Sequence, residues 1–242
     1  MPHADASRRL TVAVVIPALD EEASLPRVLA ELPRSGERFR VRDVIVVDNG
    51  SSDRTSDVAR AAGAIVVTEP SRGYGSACLA GIARLDSDPP DVVVFLDADG
   101  SDDPAELPLL LDPITRSRAD LVVGSRVLGP HEPGSLGAVQ RFGNALATLL
   151  LRVLFGARFT DLGPFRAIRW DALAALLMRD RTYGWTVEMQ ARALRAGLRC
   201  VEVPVRYRRR AAGRSKISGT IEGMWGAGTR ILGTIARVRL GG

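Results

Sequence analysis

The sequence predicts an α/β fold with a mostly parallel central sheet flanked by helices, and three observations carry that expectation. Short runs rich in Val and Ile alternate with stretches of helical spacing. Those runs are apolar nearly throughout, as strands covered on both faces are. The hydrophobic content, 46% of 242 residues, is enough to fill the core of one large domain without disulfides.

In chain order, residues 1–10 (MPHADASRRL) read as a flexible tail. Strands are expected at Thr11–Ile16, Val44–Val47, Ala64–Thr68, Val92–Leu96 and Leu121–Val123, with helices at Ser24–Leu32, Ser56–Ala62 and Gly75–Leu85 between them. Asp103 before Pro104 marks another helix start, a capping side chain followed by proline at the first helical position. Gly129–Gly137, rich in Pro and Gly and holding His131, reads as a mobile loop. From about residue 136 come a long apolar helix (Val139–Phe155) and a loop containing Asp161, Gly163 and Pro164. Helices near Asp171–Met178 and Thr186–Ala196 and a strand at Leu198–Tyr207 complete an extension of the same domain.

The formal charge of +5 conceals an asymmetry: from residue 181 onward there are 13 Lys+Arg against 3 Asp+Glu, and before it 20 against 25. An acidic body with a basic end suits anionic partners. Nucleic acid is disfavoured, because the basic end has only Tyr207 nearby and no interleaved aromatic platform. In the segment 217–242, Ile221, Met224, Trp225, Ile231, Leu232 and Ile235 recur at helical spacing. This amphipathic helical extension would lie on an anionic membrane, or pack on the protein's own core or a second subunit of a homo-oligomer. No window approaches the roughly 20 apolar residues of a membrane-spanning helix, and the N-terminus lacks the apolar stretch of a signal peptide. Cys78 and Cys200 are not in metal-ligand spacing. The expected location is the cytoplasm, including peripheral contact at the inner face of the membrane.

Open α/β sheets bind ligands beyond the carboxyl ends of their strands. Here those ends read IPALDEE (Ile16–Glu22), VVDNGSSDRT (Val46–Thr55) and FLDADGSDDP (Phe95–Pro104), and no strand is followed by the GxGxxG of dinucleotide sites. Asp97 and Asp99 stand two apart at a strand terminus, so in extended geometry both carboxylates point to one side. Like charges held together call for a proton or a cation. A hard divalent cation suits them, since Mg2+ takes one or two carboxylates and completes its shell with substrate phosphates. The plainer reading is a solvated cluster in which Asp102 or Asp103 caps the next helix.

With these motifs in their order, the chain resembles the family 2 inverting glycosyltransferases of GT-A fold, and among them the polyprenyl-phosphate, dolichyl-phosphate mannose synthase-like branch. The resemblance runs over about Val12–Lys216 and includes RGYGSACLAGI, VVGSR, TDLGPFRAI and the stretch Gly184–Lys216. It implies a single GT-A domain over 11–216, with a nucleotide-sugar half (11–127) and an acceptor half (128–216). It implies that Pro17, Leu19, Glu21, Asp48, Gly75, Asp97 and Ala98 line the nucleotide-sugar pocket, with Asp48 accepting a hydrogen bond from the base. Asp97 and Asp99 would hold Mg2+ or Mn2+. Asp20 and Asn49 depart from the commoner Asn and Asp of the family, which leaves UDP and GDP both open as the donor's nucleotide. Asp20 and Asp48 also suit ordinary turns that bond their own backbone.

A departing nucleoside diphosphate needs fixed positive charge. Besides Asp99 and its metal, Arg126, Arg214 and Lys216 are the expected catalytic groups, and Arg206, Arg208 and Glu188 the expected acceptor contacts. A phosphate monoester, with its second pKa near 6, attacks without a base, whereas a hydroxyl needs one. Asp161 would serve either as that base or as a charge near the metal. Glu188 has a plainer role open to it, an ion pair with Arg192 four residues on. The leading expectation is hexose transfer to polyprenyl phosphate. The alternatives are a transferase acting on a hydroxyl of a small molecule or saccharide, and a nucleotide-binding subunit without chemistry.

Overall fold

The structure is a computed structural model that describes residues 8–210 and 233–239. Seven strands form one sheet in the order β3-β2-β1-β4-β6-β5-β7. Its left half is a parallel unit of β1 (Leu10–Ala18), β2 (Phe39–Asp48), β3 (Ile65–Thr68) and β4 (Val92–Phe95). These strands are joined by α1 (Leu25–Glu31), α2 (Thr55–Ala61) and α3 (Tyr74–Ala83). Beyond β4, a 3-10 turn at Pro104–Glu106 leads into α4 (Leu107–Thr115), β5 (Leu121–Ser125), α5 (Ala138–Phe155), β6 (Arg166–Arg169), α6 (Trp170–Leu176), α7 (Trp185–Arg195) and β7 (Cys200–Pro204).

The apolar runs are continuous because both faces of the sheet are covered. Val12, Val14, Ile16, Val92 and Val94 face a layer containing Leu25, Leu29, Leu107 and Leu110. Their alternates Ala13, Val15, Val93 and Phe95 face Cys78, Leu151, Trp185 and Met189 on the other side. β2 begins five residues earlier than its apolar run suggests, because Phe39 and Val41 point inward while Arg40 points out. Asp103 caps the 3-10 turn, accepting from the Ala105 N–H at 3.2 Å, as the Asp-Pro pair predicts.

Two elements differ from expectation. β6 lies antiparallel between β4 and β5 where only a loop is expected. Its sequence, RAIR, is half arginine and carries no apolar run. Arg166 is nonetheless fully buried, donating to the carbonyls of Leu162 and Thr186 at 2.9 and 2.8 Å. Its guanidinium stands over the Trp185 ring, and burial pushes its pKa down to about 10. The expected strand at Leu198–Tyr207 instead ends at Pro204. Residues 205–210 then turn back over the strand ends, with Tyr207 bridged to both Asp102 and His131.

Among the described residues no helix is long and apolar enough to cross a membrane. Of the expected C-terminal extension, the helix 233–239 packs on the protein itself: Ile235 and Val238 are buried and the Thr234 hydroxyl donates to Asp180 at 2.8 Å. The rest of that extension, with Arg214, Lys216 and Trp225, and residues 1–7 of the expected tail, lie outside the described residues.

Candidate active site

The carboxyl ends of β1, β2 and β4 converge, as the parallel pairing requires, and bring the motif residues with them. Pro17 and Leu19 are half-buried at the end of β1, and Ala98 is buried beyond β4. Asp48 accepts from the Ser51 N–H at 2.8 Å and the Ser56 hydroxyl at 2.5 Å. Burial raises its pKa, but these hydrogen bonds outweigh burial and hold it below the usual carboxylate value. Asp20 likewise accepts from the Ser52 N–H, at 2.7 Å, so both aspartates build their turns. Asn49 ties this turn to the next: its amide donates to the carbonyls of Glu69 and Ser71, and its oxygen accepts from Gly73, each at 2.8 to 2.9 Å. Gly75 opens α3 against the 180–181 backbone, where a Cβ would stand 2.0 Å from the Asp180 carbonyl oxygen. Its N–H donates to the Thr182 carbonyl.

The aspartates after β4 have distinct surroundings. Asp97 Oδ1 is buried without a hydrogen-bond partner, and burial together with the Asp99 charge pushes its pKa up to about 7. Asp99 accepts from the Ser101 N–H at 2.8 Å through Oδ1 and pairs with Arg210 Nη2 at 3.0 Å through Oδ2. Asp102 is 1% exposed with neither carboxylate oxygen hydrogen-bonded, and burial, with Asp97 beside it, holds its pKa well above the usual range. Among the described residues no three His, Cys, Asp or Glu side chains converge as a metal-ligating set. Two all-oxygen carboxylates, one with an orphaned buried atom, still fit a hard cation that takes its other ligands from phosphate and water.

A second cluster, beyond β5, is built on one ion pair. Asp161, 1% exposed, receives a fork from Arg126: Nε to Oδ2 at 2.8 Å and Nη2 to Oδ1 at 2.7 Å, with the Arg126 N–H also at 2.8 Å from Oδ2. Burial alone would lower the pKa of Arg126, yet the Asp161 contacts raise it, so the guanidinium stays charged. Arg126 also lies 5.0 Å from the centroid of the Tyr207 ring. Three elements clamp the loop carrying Asp161. Glu202 of β7 accepts the N–H groups of Thr160 and Asp161 at 2.9 Å, Gln190 of α7 donates to the Asp161 carbonyl at 3.0 Å, and Asn144 of α5 bonds Thr160 and Leu162. Sequence reasoning assigned none of Glu202, Gln190 and Asn144, since their roles arise only when three distant elements meet one loop. Beside the ion pair opens a cavity of about 710 Å³ lined by Arg126, Asp161, Asn144 and Thr148, with Arg141 and Arg152 of α5.

The expected acceptor contacts stand elsewhere, none of them lining that cavity. Glu188 is buried, accepts from the Asp180 N–H at 2.7 Å and pairs with Arg192 at 2.8 Å, as the four-residue spacing allows. Arg208 pairs with Glu31 at 2.7 Å and Asp103 at 2.6 Å, while the Arg206 N–H donates to Glu106 at 2.6 Å. Arg210 holds both Asp99 and Glu21, at 3.0 and 2.7 Å. The alternate arginines of the returning segment thus face acidic residues that lie between Glu21 and Glu106 in the chain.

Comparison with known proteins places this architecture. Residues 13–177 match the family described as Glycosyl transferase family 2. The chain is 43% identical over 214 residues to an uncharacterized glycosyltransferase of Mycobacterium tuberculosis, covering 88% of this chain and 92% of that one. It is 34% identical to an undecaprenyl-phosphate mannosyltransferase of Micrococcus luteus, covering 96% of this chain and all of that one. Among solved structures, glucosyl-3-phosphoglycerate synthase of Mycobacterium tuberculosis, in complex with Mn2+, UDP-glucose and phosphoglyceric acid, superposes with a TM-score of 0.74 at 26% identity, covering 95% of this chain and 80% of that one.

Proposed function

The chain belongs to glycosyl transferase family 2, a nucleotide-sugar dependent transferase of GT-A fold, and from that premise we propose that it transfers a hexose from a UDP- or GDP-sugar to polyprenyl phosphate with inversion. The observation that carries the acceptor reading is the Arg126–Asp161 fork at the head of a cavity that also receives Arg141 and Arg152. A site with one orienting carboxylate and three guanidinium groups suits a phosphate. The undecaprenyl-phosphate mannosyltransferase relative supports the same acceptor.

In this reading residues 11–127 hold the donor and 128–216 the acceptor. Asp97 and Asp99 hold Mg2+ or Mn2+, which when bound offsets the charge of the departing nucleoside diphosphate. Pro17, Leu19, Glu21, Asp48, Gly75 and Ala98 shape the nucleotide-sugar pocket. Arg126 orients the acceptor phosphate, and Asp161 acts by fixing Arg126, its carboxylate being engaged by three N–H groups. A largely ionised phosphate needs no proton removed, so a base is not required. Arg214 and Lys216 supply further positive charge toward the diphosphate.

A second reading, a small phosphorylated acceptor, is favoured by the structural neighbour that holds phosphoglyceric acid. The deciding experiment measures nucleoside diphosphate release with Mn2+ or Mg2+ across UDP- and GDP-sugars, with and without a short-chain polyprenyl phosphate. Release that needs both one donor and the lipid phosphate is the expected result. Release that ignores the lipid overturns the acceptor assignment.

A further inference from the structure

One face of α5 has no partner among the described residues. Val139, Phe142, Leu149 and Val153 are 51%, 72%, 53% and 69% exposed, and their spacing places them in a single stripe with Leu146. Scattered exposed apolar side chains are ordinary on a protein surface, but a continuous stripe over four helical turns marks a contact surface. The opposite face of the helix, Ala147 and Leu151, is buried in the core. Between stripe and core run Arg141, Asn144, Thr148 and Arg152, and with Phe142 and Leu149 of the stripe itself they form the α5 wall of the cavity headed by Arg126 and Asp161.

Charge identifies the partner. No Asp or Glu occurs from Pro133 to Thr160, whereas Arg141, Arg152 and Arg158 do. All three are exposed, and none forms an ion pair among the described residues. We propose that this face of α5 docks on an anionic lipid surface, its stripe entering the acyl boundary and its arginines taking lipid phosphates. A second copy of the chain is the poorer fit, because a two-fold contact through this face would bring arginine against arginine with no carboxylate between. Docking in this pose puts the cavity mouth, edged by Arg141 and Arg152, at the level of lipid headgroups. A phosphate carried by a lipid then reaches Arg126 without leaving the interface. That last step rests on the polyprenyl-phosphate reading; the docking itself needs neither donor nor turnover.

The test is co-sedimentation of the full chain with vesicles of phosphatidylcholine, with and without phosphatidylglycerol, for the wild type and for Val139→Ser, Phe142→Ser and Val153→Ser combined. All three positions are solvent-exposed, and nucleotide binding checks that the triple variant keeps its fold. Binding should require phosphatidylglycerol, weaken with salt, and fall roughly tenfold or more in the triple variant. Arg141→Gln with Arg152→Gln should weaken it by several fold, in line with about 1 kcal/mol for each basic residue at an anionic surface. Wild-type vesicle binding by the triple variant overturns the proposal, as does a dimer that the triple variant disperses while vesicle binding stays unchanged. Vesicle binding without turnover of any lipid phosphate leaves the docking standing and counts against the acceptor reading. Turnover of a short-chain lipid phosphate by a protein that ignores vesicles does the reverse.

Discussion

Arg210 bridges Asp99 and Glu21, with Nη2 3.0 Å from Asp99 Oδ2 and Nη1 2.7 Å from Glu21 Oε1. One guanidinium thus ties the end of the β4 motif to the loop after β1, across the position where the donor diphosphate is proposed to lie. A cation binding Asp99 must compete with that pair.

Arg210→Gln should therefore lower the Mn2+ concentration needed for half-maximal nucleotide binding by roughly two- to fivefold, the range expected for a partly exposed ion pair. Asp99→Asn should act in the opposite sense, reducing turnover by on the order of 100-fold or more while leaving the fold intact. Metal titrations followed by nucleotide fluorescence, with turnover assayed in parallel, check both. An unchanged metal requirement in the Arg210 variant would show that the two do not compete.

Asp161→Asn should leave nucleotide binding close to wild type but raise the KM for the acceptor phosphate, because Arg126 loses its fork. Leaving a largely buried guanidinium without its carboxylate should also cost about 3 kcal/mol of stability. Glu202→Gln, which weakens the clamp on the Asp161 loop without touching Arg126, should cost about 1 kcal/mol and shift the acceptor KM less. Urea unfolding and initial-rate kinetics on the two variants separate these effects; equal KM shifts would deny Arg126 its special place.

Gly75→Ala should destabilise the junction between α3 and the 180–182 loop. The added Cβ would meet the Asp180 carbonyl oxygen at 2.0 Å, and a backbone atom has nowhere to swing. Overpacking of this kind costs about 1 to 3 kcal/mol. Thermal unfolding would show it, and a stability equal to wild type would mean that the loop shifts freely.

Stability of the metal-free protein should depend on pH through Asp97. Burial and the Asp99 charge raise this carboxyl from an ordinary 3.8 to about 7 in the folded protein. Below the ordinary value both folded and unfolded chains hold the proton, so the group has no effect. As pH rises through that window the unfolded chain releases the proton first, so folding loses stability up to about 7 and no further. Melting temperatures in EDTA should fall across the window more steeply for the wild type than for Asp97→Asn. Adding Mn2+ should flatten the wild-type slope, because the ion binds the ionised form. Parallel slopes for wild type and variant would remove Asp97 as the cause.

Much of the framework was readable from residue order. Val12–Ile16 and Val92–Leu96 announce central strands because burial on both faces admits only apolar side chains, and burial is a local composition signal. The same logic places Asp97 and Asp99 at a strand end and Asp103 at a helix start. β6 escaped because its burial rests on Arg166, whose guanidinium is satisfied by carbonyls of the loop before it and by Thr186 of α7. No local pattern distinguishes such an arginine from a solvated one.

The basic end of the chain shows the same division. Its charge excess is a matter of counting, and it suggests anionic ligands. The structure shows that Arg206, Arg208 and Arg210 already face Glu106, Glu31, Asp103, Glu21 and Asp99 of the acidic body. Sequence by itself determined the fold class, the family and the motif residues at the strand ends, because those are written in periodicity and short-range order. Only the tertiary structure decided which arginine meets which carboxylate. Those pairs join residues as much as 189 positions apart, and they form only because the segment after β7 turns back across the sheet.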